Sequence, residues 1–169
     1  MFKVQYLSSR KILLIISCGK KKADELINNR MKAEEAYRGP MFQVIRKAKR
    51  ENRWSSALKL GIISAKYGFL RGEEKIDYYD KRMTKTLAKQ YRSSVLEKIR
   101  KYHELESFSL IYILMGKDYL LSVDGLENIV DARVKIENMG GLGIGQRKLV
   151  NFLQEVEERV QAPLENFLG

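Results

Sequence analysis

Three stretches of this sequence set a glycine and a lysine together directly after an apolar run. Ser17-Cys18-Gly19-Lys20-Lys21-Lys22 follows five aliphatics, Ile12 to Ile16. Ser64-Ala65-Lys66-Tyr67-Gly68 follows a run containing Leu58, Leu60, Ile62 and Ile63. Met115-Gly116-Lys117-Asp118-Tyr119 closes the run from Phe108. Lysine supplies positive charge, and glycine lets backbone N–H groups approach a ligand closely, so each turn is suited to an anion, above all a phosphate. Continuous apolar runs rich in β-branched residues read as strands covered on both faces, which is the habit of parallel sheets. In open α/β sheets ligands gather outside the strands' carboxyl ends. The three turns are therefore expected side by side, with Lys20, Lys66 and Lys117 converging on one cleft. The plainer alternative is that glycine ends strands for turn reasons and lysine is simply common.

Other groups add possible chemistry. Asp77-Tyr78-Tyr79-Asp80 offers carboxylates for general-base work or a sugar hydroxyl, and aromatic faces for a nucleobase. Alternatively, the tyrosines plug the top of the core and the aspartates cap the following helix. Cys18 could be a nucleophile lowered by lysines, but its place in a tight turn favours packing, and the only histidine, His103, lies in a charged helix end. Gly140-Gly141-Leu142-Gly143-Ile144-Gly145-Gln146-Arg147-Lys148 opens the last helix with free N–H groups and two cations, an arrangement suited to an anion. It also looks like the second half of a helix-hairpin-helix motif, but the first half is missing, which favours a ligand loop. A Walker A loop and a Gly-x-Gly-x-x-Gly turn after the first strand are both absent.

These groups must be positioned by regular elements. The first strand is Lys11 to Ser17, after a polar lead-in with a short edge strand at Phe2 to Tyr6. Residues 18–39 form a charged connection, helical from Ala33 to Tyr37. A helix follows from Pro40 to about Asn52, its proline at a first position where the missing N–H costs nothing. Met41, Val44, Ile45 and Ala48 give it an apolar face. The second strand is Ala57 to Ser64, followed by an irregular aromatic loop. A helix from about Thr84 to Tyr102 turns Leu87, Tyr91, Val95, Leu96 and Ile99 inward. The third strand is Phe108 to Met115, followed by a short helix to about Val123. A fourth strand is expected over Asn128 to Val134, then a loop over 135–143. The last helix runs from Ile144 to Val160, with Ile144, Leu149, Phe152, Leu153, Val156 and Val160 buried. Leu164, Phe167 and Leu168 in the tail are expected to dock on the body. The alternation predicts one α/β domain over 1–169, a three-layer α/β/α sandwich with a mostly parallel central sheet of about four to five strands.

The totals agree with such a protein. The chain has 169 residues, of which 44% are hydrophobic, enough for one core. No apolar run is long enough to span a membrane, and the first ten residues lack a signal-peptide pattern. One cysteine excludes an internal disulfide and suits a cytoplasmic setting. One cysteine and one histidine cannot build a structural zinc site, whereas an oxygen-bound magnesium remains compatible. A net charge of +11 and a pI near 9.7 favour an anionic partner, nucleotide or nucleic acid. A Lys/Glu-rich surface, as in proteins from hot environments, is the alternative.

The stretches together resemble a family of bacterial and archaeal proteins, some described as peroxide-stress YaaA-like. The shared pattern is Ser17-Cys18-Gly19-Lys20-Lys21-Lys22, Tyr37-Arg38-Gly39-Pro40-Met41-Phe42, Ile63-Ser64-Ala65-Lys66-Tyr67-Gly68-Phe69, Tyr79-Asp80, Gly116-Lys117-Asp118-Tyr119 and Gly141-Leu142-Gly143-Ile144-Gly145. More distantly, the Ser-Cys-x-x-Lys-Lys turn is similar to uracil-DNA-glycosylase-like domains of archaeosine-pathway enzymes. That resemblance implies a nucleobase pocket. The glycosylases' Asp-Pro loop and histidine loop have no counterpart here.

The expected function is binding of a nucleotide, or of a nucleoside within nucleic acid, with N-glycosidic cleavage or base exchange as the reaction class. Lys20, Lys21, Lys66 and Lys117 contact phosphate. Ser17, Cys18, Gly19, Ser64, Gly68, Gly116, Tyr119, Gly143, Gly145 and Arg147 complete the walls. Tyr67 or Tyr79 stacks on the base, and Asp80, with Tyr79 beside it, activates water or holds the ribose. No cofactor is required by this reading. The alternatives are a non-catalytic nucleic-acid binder, with charge spread over Arg46-Lys47-Lys49-Arg50 and Lys81-Arg82-Lys85, and an enzyme of a small anionic metabolite.

Overall fold

The computed structural model describes residues 10–168, with side chains through Arg159. The expected edge strand at Phe2 to Tyr6, the burial of Val160 and the docking of the tail's side chains fall outside those residues. In chain order the elements are β1 (Lys11–Ser17), a short 3₁₀ turn at Asp24–Ile27, β2 (Met31–Lys32), α1 (Ala33–Ala36), α2 (Pro40–Arg50), β3 (Leu58–Ser64), β4 (Gly68–Arg71), β5 (Lys75–Ile76), α3 (Lys85–Glu106), β6 (Phe108–Met115), α4 (Lys117–Leu120), β7 (Arg133–Asn138) and α5 (Leu142–Leu168).

Five strands form one sheet in the order β4-β3-β1-β6-β7, and β2 pairs with β5 separately. β1 lies between β3 and β6 and runs parallel to both, and β6 runs parallel to β7. Ile16 faces Ile62 on one side and Leu114 on the other, so Ser17, Ser64 and Gly116 all come out at one edge. The central strands are apolar throughout because both their faces are covered. Leu13 to Ile16 and Ile111 to Met115 are fully buried. α2 and α5 pack together, and α3 packs on β4 and on the segment after α4. The architecture is the expected three-layer α/β/α sandwich.

Several boundaries differ from expectation for identifiable reasons. The irregular aromatic loop lies over 77–84, and before it the stretch from Ser64 to Leu70 leads into a further strand. Gly68, at φ +69, reverses the chain, and β4 returns antiparallel to β3. That left-handed turn is why the sheet is mixed. The fourth strand is Arg133–Asn138 rather than Asn128 to Val134, and Leu126–Asn128 is a 3₁₀ turn entered through Gly125 at φ +89. As an edge strand, β7 alternates Val134 and Ile136 with charged residues and lacks the continuous run that marks a central strand. α3 starts where Thr84 accepts a hydrogen bond from the Leu87 N–H, 3.1 Å, and ends past Tyr102 at Ser107, φ 55. Val95, Ile99, Ala88 and Tyr102 are its buried line, while Leu87, Tyr91 and Leu96 are half-buried. α5 begins two residues early, and Ile144 is 54% exposed instead of buried. No helix among the described residues is long and apolar enough to cross a membrane.

Candidate functional site: a cationic cleft at the strand ends

The turn after β1 is held from both sides. The Cys18 N–H donates to the Ile63 carbonyl, 3.0 Å, and Lys22 forms an isolated antiparallel bridge with Tyr37. Gly19 takes φ +69, which favours glycine, and its missing side chain would stand in open space. Gly116 has an ordinary backbone, and a methyl group there would also meet nothing within 4 Å. The protein's own packing therefore leaves room beside both glycines.

That room is part of a cleft of about 740 Å³, lined by Gly19, Lys20, Lys22, Asp80 to Met83 and Gly116 to Tyr119. Five cationic side chains, Lys20, Lys22, Lys81, Arg82 and Lys117, stand against two carboxylates, Asp80 and Asp118. None of those five has an ion-pair partner among the described residues. One oxygen of Asp118, Oδ1, is buried without a hydrogen-bond partner among them. Native proteins leave few such groups unmatched.

Beneath this edge lies a buried cluster of hydroxyls. Tyr37 donates to Ser64 Oγ at 3.3 Å, Ser64 Oγ is 2.9 Å from the Tyr79 hydroxyl, and the two phenols are 2.7 Å apart. Ser64 Oγ also accepts the Lys66 and Tyr67 N–H groups, both at 3.1 Å. The three hydroxyls thus close a ring in which each lies within hydrogen-bond distance of the other two. Ser64 and Tyr37 are fully buried and Tyr79 is 7% exposed. The ring ties together the connection before α2, the β3 turn and the loop that carries Asp80, Lys81 and Arg82.

The expected site residues therefore separate. Gly19, Lys20, Asp80, Gly116, Lys117 and Tyr119 come together in the cleft. Cys18 is buried beside it, its sulfur 3.4 Å from the Tyr119 hydroxyl. Ser17 lies half-buried at the strand end, and Lys21 is exposed on the turn. Lys66 does not converge with Lys20 and Lys117. Its ammonium lies 5.2 Å from the Tyr67 ring and 5.9 Å from the Tyr79 ring, outside the cleft lining. The Tyr79 ring is no open stacking surface, with Lys22 Nζ 4.3 Å above it and Tyr67 edge-on at 5.7 Å. Tyr67 receives the Asp77 N–H at 3.1 Å, and Asp77 pairs with Arg30. Gly68 serves the β-turn. Gly143 and Gly145 lie in the first turns of α5, and Arg147 borders a different groove, of about 580 Å³, between α2 and α5. Lys22 and Asp118 lie in the two turns expected to wall the cleft, whereas Lys81 and Arg82, and Tyr37 in the ring beneath, are not expected there from the sequence. Lys81 and Arg82 follow Asp80 directly, but only the returning 77–83 loop shows that they share the cleft.

Burial pushes the phenols of Tyr37, Tyr79 and Tyr119 well above the ordinary range, with the Cys18 sulfur next in effect. Burial likewise raises Tyr112, and Tyr102 to about 12. A raised phenol keeps its proton in the folded chain after the unfolded chain has lost it. Stability from this source is whole below about pH 10 and falls as pH rises above it. Absorbance titration of the folded protein is expected to leave these five tyrosines unionised at about pH 10, with melting temperature dropping as pH rises further. Their ionisation at that pH without unfolding would contradict the buried ring.

A second cleft, about 690 Å³, opens at the opposite edge of the sheet around Arg10, His103, Asp131 and Arg133. There His103 Nδ1 accepts the Phe108 N–H at 3.1 Å and Nε2 meets Asp131, so both ring nitrogens have partners. Comparison with known proteins finds one family model, described as a family of unknown function (DUF6884), matching residues 13–166. No curated protein and no solved structure matches the chain significantly.

Proposed function

The chain belongs to that family of unknown function, and from the geometry of the strand-end cleft we propose that it binds a nucleotide there. The observation that carries the reading is the cleft's inventory: five cations without an ion-pair partner among the described residues, two glycines with open space beside them, and the half-buried Asp118 carboxylate. A phosphate suits the lysines and the N–H groups at Gly19 and Gly116. A ribose hydroxyl suits the half-buried Asp118 carboxylate of the lining, because it is a neutral donor that leaves the carboxylate charged. Asp80 is exposed on the rim, where its carboxylate has access to water and can act as a general base. The reaction class that uses these groups is cleavage or exchange at a nucleoside's N-glycosidic bond. Tyr79 then acts as a positioning residue, because its hydroxyl is turned inward and holds the rim in place.

The test is a titration with nucleoside monophosphates read by melting temperature. At about a hundred times the dissociation constant, binding is expected to raise the melting point by roughly 5–10 °C. The matching nucleosides, lacking phosphate, are expected to give a much smaller rise. No rise with any nucleotide would sink the reading.

A further inference from the structure

The cations do not stop at the cleft rim. From Lys81 to Leu96 the sequence has five cationic residues, Lys81, Arg82, Lys85, Lys89 and Arg92, and no carboxylate. Lys85, Lys89 and Arg92 are spaced i, i+4, i+7 and so share one stripe of α3. The stripe borders the buried line through Ala88, Val95 and Ile99. Arg92 donates through Nε to the Asp124 carbonyl at 2.8 Å, which fixes the stripe's far end against the segment that follows α4. Lys85 and Lys89 are exposed and have no ion-pair partner among the described residues.

The other basic stretches differ: the second half of α3 is neutralised locally, and α2, although it keeps Lys47 and Arg50 without ion-pair partners among the described residues, does not line the cleft. In the second half of α3, Arg100 pairs with Glu97 and Glu104, and Lys101 with Glu97. On α2, Lys49 pairs with Glu34 at 3.2 Å and lies over Trp54, and Arg46 donates to the Tyr37 carbonyl at 3.0 Å. The first half of α3 is therefore a cationic surface continuous with the cleft through Lys81 and Arg82.

We propose that the cleft and this stripe are one site for a polynucleotide strand, with one nucleotide in the cleft and neighbouring phosphates along Arg82, Lys85 and Lys89. The proposal rests on the nucleotide reading of the cleft and names its ligand as a polymer. Lys85 to Arg92 spans about 10 Å of helix beyond the rim, which a mononucleotide seated between Lys20 and Lys117 does not cover. A chain of phosphodiesters does, and it is the anionic ligand that rewards a row of exposed cations with counterion release.

The test compares a nucleoside monophosphate with single-stranded DNA and RNA oligonucleotides of about twelve residues, on wild type and on Lys85→Gln/Lys89→Gln. Affinity is read by fluorescence anisotropy across a salt series. Both substitutions are on exposed positions, so folding is retained. The oligonucleotide is expected to bind the wild type at least about tenfold more tightly than the monophosphate. The double variant is expected to lose about tenfold of the oligonucleotide's affinity and to lower its salt slope by about 1.4, with monophosphate binding unchanged. The DNA and RNA arms distinguish the two sugars. A monophosphate that binds while the oligonucleotide binds no more tightly, or a double variant with unchanged slope, overturns this inference and leaves the cleft reading intact. Oligonucleotide binding without monophosphate binding overturns the cleft reading, and with it the single continuous site.

Discussion

Ser64→Ala is expected to lower the melting temperature by roughly 6–12 °C and the unfolding free energy by about 2–4 kcal/mol. The volume lost is small, so the effect comes from hydrogen bonding. One oxygen accepts the Lys66 and Tyr67 N–H groups and exchanges protons with two buried phenols. Removing it leaves donors without acceptors, and a buried unmatched group costs about 1–3 kcal/mol. The two N–H groups are part-buried and recover some of that loss from water. Tyr79→Phe removes two of the ring's three hydrogen bonds but leaves both backbone N–H groups on Ser64, and is expected to cost about 1–2 kcal/mol. Chemical denaturation of both variants measures this directly. A change within about 0.5 kcal/mol for Ser64→Ala would show that the ring is not a stabilising unit. Because Tyr79 anchors the loop carrying Asp80, Lys81 and Arg82, Tyr79→Phe is also expected to weaken nucleotide binding, and a purely structural plug would not do so.

Replacing Lys20 and Lys117 together by alanine is expected to weaken nucleotide binding by at least about a hundredfold. Each is a charged donor toward a phosphate, and such bonds contribute about 1.5–3 kcal/mol, with about 1.4 kcal/mol for each factor of ten. Neither lysine has an ion-pair partner among the described residues, so their removal leaves no carboxylate stranded. Melting temperature is expected to stay nearly constant. Gly116→Ala gives an independent check on the same wall. Its backbone is ordinary and its surroundings are empty, so the methyl group should leave folding unchanged while obstructing a ligand at the N–H groups. Calorimetric titration reads both, and unchanged affinity in the lysine pair would remove phosphate from the cleft.

The sequence makes β1 and β6 legible to the residue, because a strand covered on both faces is a nearly continuous apolar run, interrupted in β6 only by Ser109. β7 is not legible in this way. Among the described residues no strand pairs with its outer edge, its apolar residues alternate with charges, and Ile129 and Val130 nearby imitate a strand although they follow a turn at Gly125. β4 is hidden by the tight reversal at Gly68. The site divides along the same line. Lys20 and Lys117 are legible because each follows a parallel strand, and register alone brings their turns together. Lys66 follows the same rule but is not among the residues that line the cleft. The rim cations Lys81 and Arg82 reach the cleft through a loop anchored by Tyr79 on Tyr37 and Ser64, contacts 42 and 15 residues apart. No local pattern announces such pairings.

The central claim is that the cleft at the strand ends binds a nucleotide. Its most direct test is a titration of isotope-labelled protein with a nucleoside monophosphate, following backbone amides by nuclear magnetic resonance. Binding there predicts saturable shifts at Gly19, Lys20, Gly116, Lys117 and Asp118, with Arg10, His103 and Arg133 at the opposite edge unmoved. Shifts confined to that opposite edge, or none at saturating nucleotide, would contradict it.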